Sequence, residues 1–125
     1  MATVASALIV LVAAIHVYIV VLEMFLWRRP RGLRAFGTDQ AFADASAALA
    51  ANQGLYNGFL VAGLVWGLLA SDPVGFQVRI FFLACVIVAG VYGAATVNRR
   101  ILLVQAVPAA LALAAVLVAG SATAA

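Results

Sequence analysis

The sequence predicts an all-α integral membrane protein, a bundle of four transmembrane helices that forms a single domain over residues 1–125. Hydrophobic residues make up 68% of the chain and charged residues 9%, whereas a soluble domain is about half apolar and a quarter charged. The apolar residues also form four long runs, each close to the roughly 20 residues that a helix needs to cross a bilayer. Because the hydrocarbon core offers no water to the backbone, helices that satisfy their own peptide groups are expected.

The first apolar segment runs from Val4 to Trp27. A secretory signal peptide has a basic stretch before its apolar region. Here no charged residue precedes Glu23, and the first arginine, Arg28, follows the segment. The segment is therefore expected to be a retained transmembrane helix with Trp27 as an anchor at the membrane interface.

The connection after the first segment is the only long one. Its opening residues, Arg28 to Gly32, are predicted not to form a regular helix. Thr38 and Asp39 then resemble a helix N-cap ahead of the alanine-rich residues 40–51. The second long helix should therefore begin well before the membrane.

The remaining apolar segments are joined by short connections. A turn composition, Ser71 to Gly75, separates the second segment from the third. In the fourth segment, Pro108 has no N–H to donate to the carbonyl of Val104, which frees an acceptor near Gln105. The second, third and fourth segments cover about Leu49 to Ala70, Phe76 to Val97, and Ile101 to Ala119.

Arginines set the predicted orientation. Six of the seven lie in the first and third connections, and only Arg79 lies near the second. The six are Arg28, Arg29, Arg31, Arg34, Arg99 and Arg100. Positive charge stays on the cytoplasmic side, so both termini should lie outside in a multi-pass protein of the cell (inner) membrane. The same placement makes these arginines topology signals, and no nucleic-acid partner is expected.

Polar side chains form a candidate site in the cytoplasmic half of the bundle. Glu23 lies five residues before Arg28, and polar residues from the other three helices fall at similar depth. Ionisable groups inside a membrane are costly and usually have a partner or a task. Glu23 and His16 are the candidate catalytic residues, and the candidate ligand-binding residues are Asn52, Gln53, Tyr56, Asn57, Tyr92 and Gln105.

Each of these residues also has a structural interpretation. Glu23 could pair with Arg99 or Arg100, His16 could be a packing residue, and the amides could hydrogen-bond between helices. A metal site would need more donors, so one His, one Cys and one Glu make only a weak case for one.

Two glycine pairs predict close helix packing. Gly54 with Gly58, and Gly63 with Gly67, are each spaced four residues apart on different faces of the second long helix. Such small residues let neighbouring backbones approach closely. Each pair should therefore face a neighbouring helix.

Three stretches together resemble a bacterial family of small membrane proteins known as domain of unknown function 1304. They are Leu22 to Trp27 with His16, Asn52 to Leu60 with Gly63-Leu64, and Tyr92 to Ala94 with Gln105 and Pro108. The resemblance covers nearly the whole chain, and Asn-Gln-Gly-x-Tyr-Asn is its specific part. It implies four helices and no biochemistry.

Three functions fit these observations. The first is binding or transformation of a small amphipathic molecule, with Glu23 as base or cation partner and His16 as proton relay. The second is a small proton-coupled multidrug exporter, which the strong orientation bias and the off-centre Glu23 oppose. The third is an accessory or structural subunit without a ligand. The cofactor is unknown, whether the protein is an enzyme stays open, and a homo-oligomer in the lipid bilayer is expected.

Overall fold

The computed structural model describes the backbone of residues 1–124 and the side chains of residues 1–120. This part of the chain is helical, with no strand, which confirms the all-α prediction. Its elements are α1 (Ala2–Met24), α2 (Pro30–Phe36), α3 (Gln40–Leu69), α4 (Val74–Thr96), a π-helical turn (Leu102–Ala106) and α5 (Val107–Ala124).

Three helices of the described part are long and apolar enough to cross a membrane. They are Ala2–Met24, Val74–Thr96 and Leu102–Gly120, so the chain has the features of a multi-pass membrane protein. The second predicted span, which lies in α3, is not among them. The polar stretch from Asn52 to Asn57 lowers the mean hydropathy of that helix.

The chain divides into two compact units. One unit comprises Met1–Ile15 and Leu60–Ala125, and the other comprises His16–Phe59. The boundaries therefore fall inside α1 and inside α3.

The first unit has an apolar core. Its side chains come from the start of α1, the end of α3, α4 and α5, and many are small, as expected for closely packed membrane helices. The fully or nearly fully buried members include Ile9, Val12, Leu64, Leu83, Val86, Ala109, Ala112 and Val116. At Gly90 an added Cβ would lie 2.8 Å from the backbone nitrogen of Ala106, so α4 and the π-helical turn approach backbone to backbone.

The π-helical turn is the local response to Pro108. In it the Val107 N–H donates to the Leu102 carbonyl, five residues back rather than four. The widened turn carries the chain past a residue that has no N–H to donate. The sequence predicted the disturbed hydrogen bonding around Gln105 but not its form.

Arg79 closes the α3–α4 connection. One guanidinium nitrogen donates to the Gly67 carbonyl at 2.8 Å, and another donates to Asp72 at 3.0 Å. The Gly67 carbonyl belongs to the last turn of α3, where carbonyls have no helical partner. Gly67 packs against the Arg79 side chain and Gly63 against the Phe82 ring, which confirms the close packing predicted for this glycine pair.

The second unit contains α2, which corrects one expectation. The start of the first connection was predicted not to be helical, but Pro30 is the first residue of a helix. Proline suits that position because its fixed φ is helical and its missing N–H would be unpaired there anyway. A Cβ at Gly32 would overlap the Leu26 carbonyl, so only glycine fits this contact. Gly37, with φ of 66°, ends α2 in the left-handed conformation.

The start of α3 agrees with the sequence prediction. A carboxylate oxygen of Asp39 accepts a hydrogen bond of 2.8 Å from the Phe42 N–H. This is the N-cap geometry that satisfies a free donor of the first turn. The helix therefore begins at Gln40, well before its apolar part.

Candidate functional site

A buried hydrogen bond joins α1 to α3. The side-chain amide of Asn57 donates to Oε1 of Glu23 at 2.6 Å, and only 8% of Glu23 and 7% of Asn57 are exposed. From the sequence, Glu23 is expected to point toward α3 near Gln53 and Asn57; the bond confirms the contact with Asn57, whereas Gln53 is exposed. Because this bond uses one carboxyl oxygen, the other oxygen, Oε2, can accept a second donor.

Gly54 sets the distance between the two helices at this point. A Cβ on Gly54 would lie 2.5 Å from Cγ of Met24 and 3.1 Å from Cβ of Glu23. The absence of a side chain thus lets α3 pack directly on the end of α1. Asn57 lies one helical turn further along α3, on the same face, which brings its amide to Glu23.

At Gly58 the packing prediction is not met within the chain. A Cβ there would have no neighbouring atom within 4 Å. Of the first glycine pair, only Gly54 therefore makes a close helix contact in a single copy of the protein.

A partly open cleft of about 370 Å³ lies beside Glu23. Its lining combines one carboxyl group, two guanidinium groups and apolar or small side chains. The lining residues are Glu23, Met24, Phe25, Trp27, Arg28, Arg29, Ala47, Ala48 and Ala51. This mixture suits a molecule that is polar at one end and apolar at the other.

Trp27 forms one wall of the cleft and does not continue α1. The helix ends at Met24, so the prediction that the first transmembrane helix continues to Trp27 is wrong beyond Met24. The indole N–H donates to Oγ of Ser46 at 3.0 Å. Its ring lies 4.8 Å from the Phe36 ring, centroid to centroid, so α2 and α3 together hold it in place.

His16 lies on α1 two turns before Glu23, which is the same face of the helix. Its side chain is 1% exposed and among the most deeply buried of the chain. The roughly 10.5 Å of helical rise between the two residues is too long for a direct proton transfer. A relay role for His16 stays a prediction.

Comparison with known proteins identifies the family. The sequence profile of a family described as "Protein of unknown function (DUF1304)" matches residues 10–117. The chain belongs to this family. An uncharacterised protein, YpaA of Lactococcus lactis subsp. lactis (strain IL1403), is 34% identical over 105 residues, which are 82% of this chain and 87% of that protein. No protein of solved structure gives a significant match.

The DUF1304 match confirms the resemblance drawn from the sequence motifs. It spans both partners of the buried hydrogen bond and every residue that lines the cleft. Neither the family description nor the name of the relative states an activity.

The remaining predicted ligand-binding residues of this DUF1304 protein lie in different settings. Asn52 and Gln53 are exposed, and Tyr56 is exposed with its ring 5.8 Å from that of Phe59. Tyr92 is exposed, and Gln105 is half-buried in the π-helical turn. Tyr92 and Gln105 belong to the first compact unit. Their roles in ligand binding stay predictions.

Sequence reasoning missed the residues of α3 that line the cleft. Ala47 and Ala51 of the lining recur at a spacing of four, and Gly54, already predicted to face a helix, follows three residues later on the same helix face. That spacing could have identified the face that α1 contacts. In the described part of the chain, no group of three His, Cys, Asp or Glu residues is close enough to hold a metal ion.

Proposed function

We propose that the protein binds a small amphipathic molecule in the cleft beside Glu23. One observation carries the proposal: Glu23, which is buried and hydrogen-bonded through one carboxyl oxygen, lines a partly open cleft together with two arginines and apolar residues. The free oxygen of Glu23 can bind a donor group of the ligand. If the molecule reacts, Glu23 is the residue in position to accept a proton from it.

The proposed setting is the cytoplasmic half of a four-helix bundle in the inner membrane. α3 serves as the fourth transmembrane helix, because its 30 residues extend about 45 Å at 1.5 Å per residue. Both termini lie on the outer, non-cytoplasmic side of the cell membrane. The six arginines of the first and third connections support this orientation. The ion pair of Arg79 with Asp72 strengthens it by removing the net charge near the second connection.

We further propose that the protein is a homo-oligomer. Asn52 and Gln53 are exposed on a single copy, and amides of membrane helices commonly hydrogen-bond to a neighbouring helix. The open space beside Gly58 would let a helix of a second copy approach α3 closely.

The two alternative functions make different use of Glu23. A proton-coupled exporter needs a carboxyl group reachable from both sides, but Glu23 lies one residue before the end of α1. A structural subunit would use the Glu23–Asn57 bond only to hold α1 against α3, and the bond itself supports that alternative. Replacing the carboxyl group of Glu23 with an amide of the same shape distinguishes a ligand-binding role from a structural one.

The test compares the thermal stability of purified wild type, Glu23→Gln and Asn57→Ala, each with and without a membrane lipid extract. The extract should raise the wild-type melting temperature. Glu23→Gln should fold and assemble normally, because the amide oxygen still accepts the bond from Asn57, and should show a smaller lipid-dependent rise than wild type. Gln77→Ala, a change at an exposed amide of α4 that does not line the cleft, is the control and should keep the full rise.

The structural alternative predicts another pattern. Both Glu23→Gln and Asn57→Ala would then impair assembly, and no extract would change the wild-type melting temperature. That result would remove the basis of the binding proposal.

A further inference from the structure

We infer that the amphipathic molecule is an aminophospholipid, a lipid whose headgroup carries both a phosphate and a primary ammonium group. This inference rests on the proposed function, since it names the ligand of the same cleft. It follows from the signs of the charges that line the cleft and from the hydrogen bonds that the nearby carboxylates already make.

Arg28 and Arg29 place positive charge on one side of the cleft, and neither forms an ion pair with a carboxylate in the part of the chain that the structure describes. Both are exposed and line the cleft. Within the described residues, the only ion pair of an arginine with a carboxylate is that of Arg79 with Asp72. Two arginines at one cleft match a phosphate, whose oxygens accept guanidinium N–H donors in pairs.

The two aspartates of the same region are engaged with their own helix. Asp39 accepts the N–H of Phe42, and Asp44 accepts the side-chain amide of Gln40 at 2.9 Å. Gln40 also donates to the backbone carbonyl of Arg28 at 3.3 Å, which ties the start of α3 to the arginine pair. Neither carboxylate forms an ion pair with Arg28 or Arg29, so both guanidinium groups can bind a phosphate from outside the chain.

Glu23 supplies the opposite sign on the same cleft. An ammonium group has three N–H donors, so one of them can reach the oxygen that Asn57 leaves free. A purely anionic lipid would leave this buried carboxyl facing an anion, and a purely cationic amphiphile would leave both guanidinium groups unsatisfied. A headgroup with both charges complements the whole lining.

The apolar walls explain why the ligand is a lipid rather than a free headgroup. Met24 and Phe25 follow one another at the end of α1, and Phe25 is 69% exposed. Trp27 beside them is a residue type that is enriched at the membrane–water interface. An acyl chain can therefore lie along Phe25 while the headgroup enters between Glu23 and the arginines.

The test uses three lipids with identical acyl chains, phosphatidylethanolamine, phosphatidylcholine and phosphatidylglycerol, added to detergent-purified, delipidated protein. Binding is measured by native mass spectrometry and by the shift of the melting temperature. Phosphatidylethanolamine should bind roughly tenfold more tightly than phosphatidylcholine, whose ammonium has no N–H to donate to Glu23. Free phosphorylethanolamine should bind much more weakly than the lipid.

Variants separate the two ends of the headgroup. Glu23→Gln should remove the preference for ethanolamine over choline but keep binding of both lipids. The double variant Arg28→Gln with Arg29→Gln should weaken binding of all three lipids. Arg34→Gln, which removes an exposed arginine that does not line the cleft, is the control and should bind like wild type. Circular dichroism and size-exclusion chromatography establish that each variant is folded.

Two results would overturn the inference. One is phosphatidylglycerol binding as tightly as phosphatidylethanolamine, and the other is an unchanged ethanolamine preference in folded Glu23→Gln. If a membrane extract stabilises the protein but none of the three lipids does, the aminophospholipid is the wrong ligand and the proposed function stands. If neither the extract nor any lipid binds, the proposed function itself fails.

Discussion

The central pair of the site, Glu23 and Asn57, shows how a polar residue can be both structural and functional. Asn57 is buried and donates to one carboxyl oxygen of Glu23. A buried carboxyl without any donor would be strongly unfavourable next to a membrane. The hydrogen bond therefore makes it possible to keep Glu23 on the wall of the cleft.

A double-mutant cycle measures the strength of this pair. Asn57→Ala and Glu23→Leu should each destabilise the protein, and the coupling free energy between them should be about 0.6–1.7 kcal/mol, the range found for side-chain hydrogen bonds between membrane helices. The measurement is reversible unfolding in mixed micelles. A coupling of zero would mean that the two side chains do not interact in the folded protein.

The sequence predicted this pair but not its surroundings. The cost of a carboxyl group inside an apolar segment identified Glu23, and the predicted depth placed it near Gln53 and Asn57, of which Asn57 forms the bond. Arg28, Arg29 and Phe25 could not be assigned to the cleft, because α1 had been extended through Trp27. Where a helix ends depends on local contacts, such as the contact of Gly32 with Leu26. The pattern of apolar residues does not predict such contacts.

At the level of the elements, α1 and α3 are held together by small residues. Gly54 packs against Met24 and Glu23, whereas Gly58, one turn further, has open space. Ala47, Ala48 and Ala51 lie in the preceding turns of α3, and their short side chains leave the space of the cleft unfilled. The two glycines therefore form a matched pair for mutation.

Gly54→Ala should destabilise the protein by about 1–3 kcal/mol, because the new methyl group overlaps Met24 and forces α3 away from α1. Gly58→Ala should leave the stability of the single copy unchanged or raise it by roughly 0.5–1 kcal/mol, since alanine restricts the unfolded chain and meets no atom of the same copy. Unfolding in the same micelles compares the two. Equal destabilisation by both changes would show that the α1–α3 contact is not centred on Gly54.

Arg79 makes the connection between α3 and α4 a rigid one. Its guanidinium group bonds both the Gly67 carbonyl and Asp72, and its side chain is 19% exposed. Arg79→Leu should cost about 1–3 kcal/mol, because a carbonyl at the end of α3 loses its donor. Arg34→Leu, at an exposed position of α2, is the control and should change stability little. Equal effects of the two changes would contradict the role of Arg79 as a helix-end donor.

The elements themselves were largely predictable from the sequence. Apolar runs gave the positions of α1, α4 and α5, and the Asp39 cap gave the start of α3. Helix α2 was missed because Arg-Pro-Arg-Gly was taken as irregular, although proline is favoured at the first helical position. The π-helical turn was missed because apolar periodicity does not distinguish it from an α-helix.

For the whole molecule, the proposed orientation is the property most open to direct test. Single cysteines at Ser71 and Ala35, both exposed positions, are introduced into a Cys85→Ala background. In intact cells, a membrane-impermeant thiol reagent should label the cysteine at position 71 and leave that at position 35 unlabelled until the cells are lysed. The reverse pattern would place the arginine-rich connection outside and would contradict the proposed topology.

The fold class followed from composition together with the long apolar runs, because a typical soluble domain is about half hydrophobic, against 68% in this chain. The number of transmembrane spans did not follow from the sequence. The apolar half of α3 is joined to the amides of the site, which lower the mean hydropathy of that helix. For the function, the sequence predicted a polar site and the class of molecule that would suit it. Ligand recognition depends on the distances between charged groups around a cavity. Those distances are set by the fold and cannot be read from the sequence of one protein.

Chemical protection of Glu23 tests the central claim most directly. A hydrophobic carbodiimide reacts with carboxyl groups in apolar surroundings, and peptide mass spectrometry measures the modified fraction of Glu23, with the exposed Asp39 and Asp44 as internal controls. In delipidated protein Glu23 should be modified, and adding the membrane lipid extract should protect it without changing either aspartate. If the extract leaves modification of Glu23 unchanged, no ligand occupies the cleft and the binding proposal is wrong.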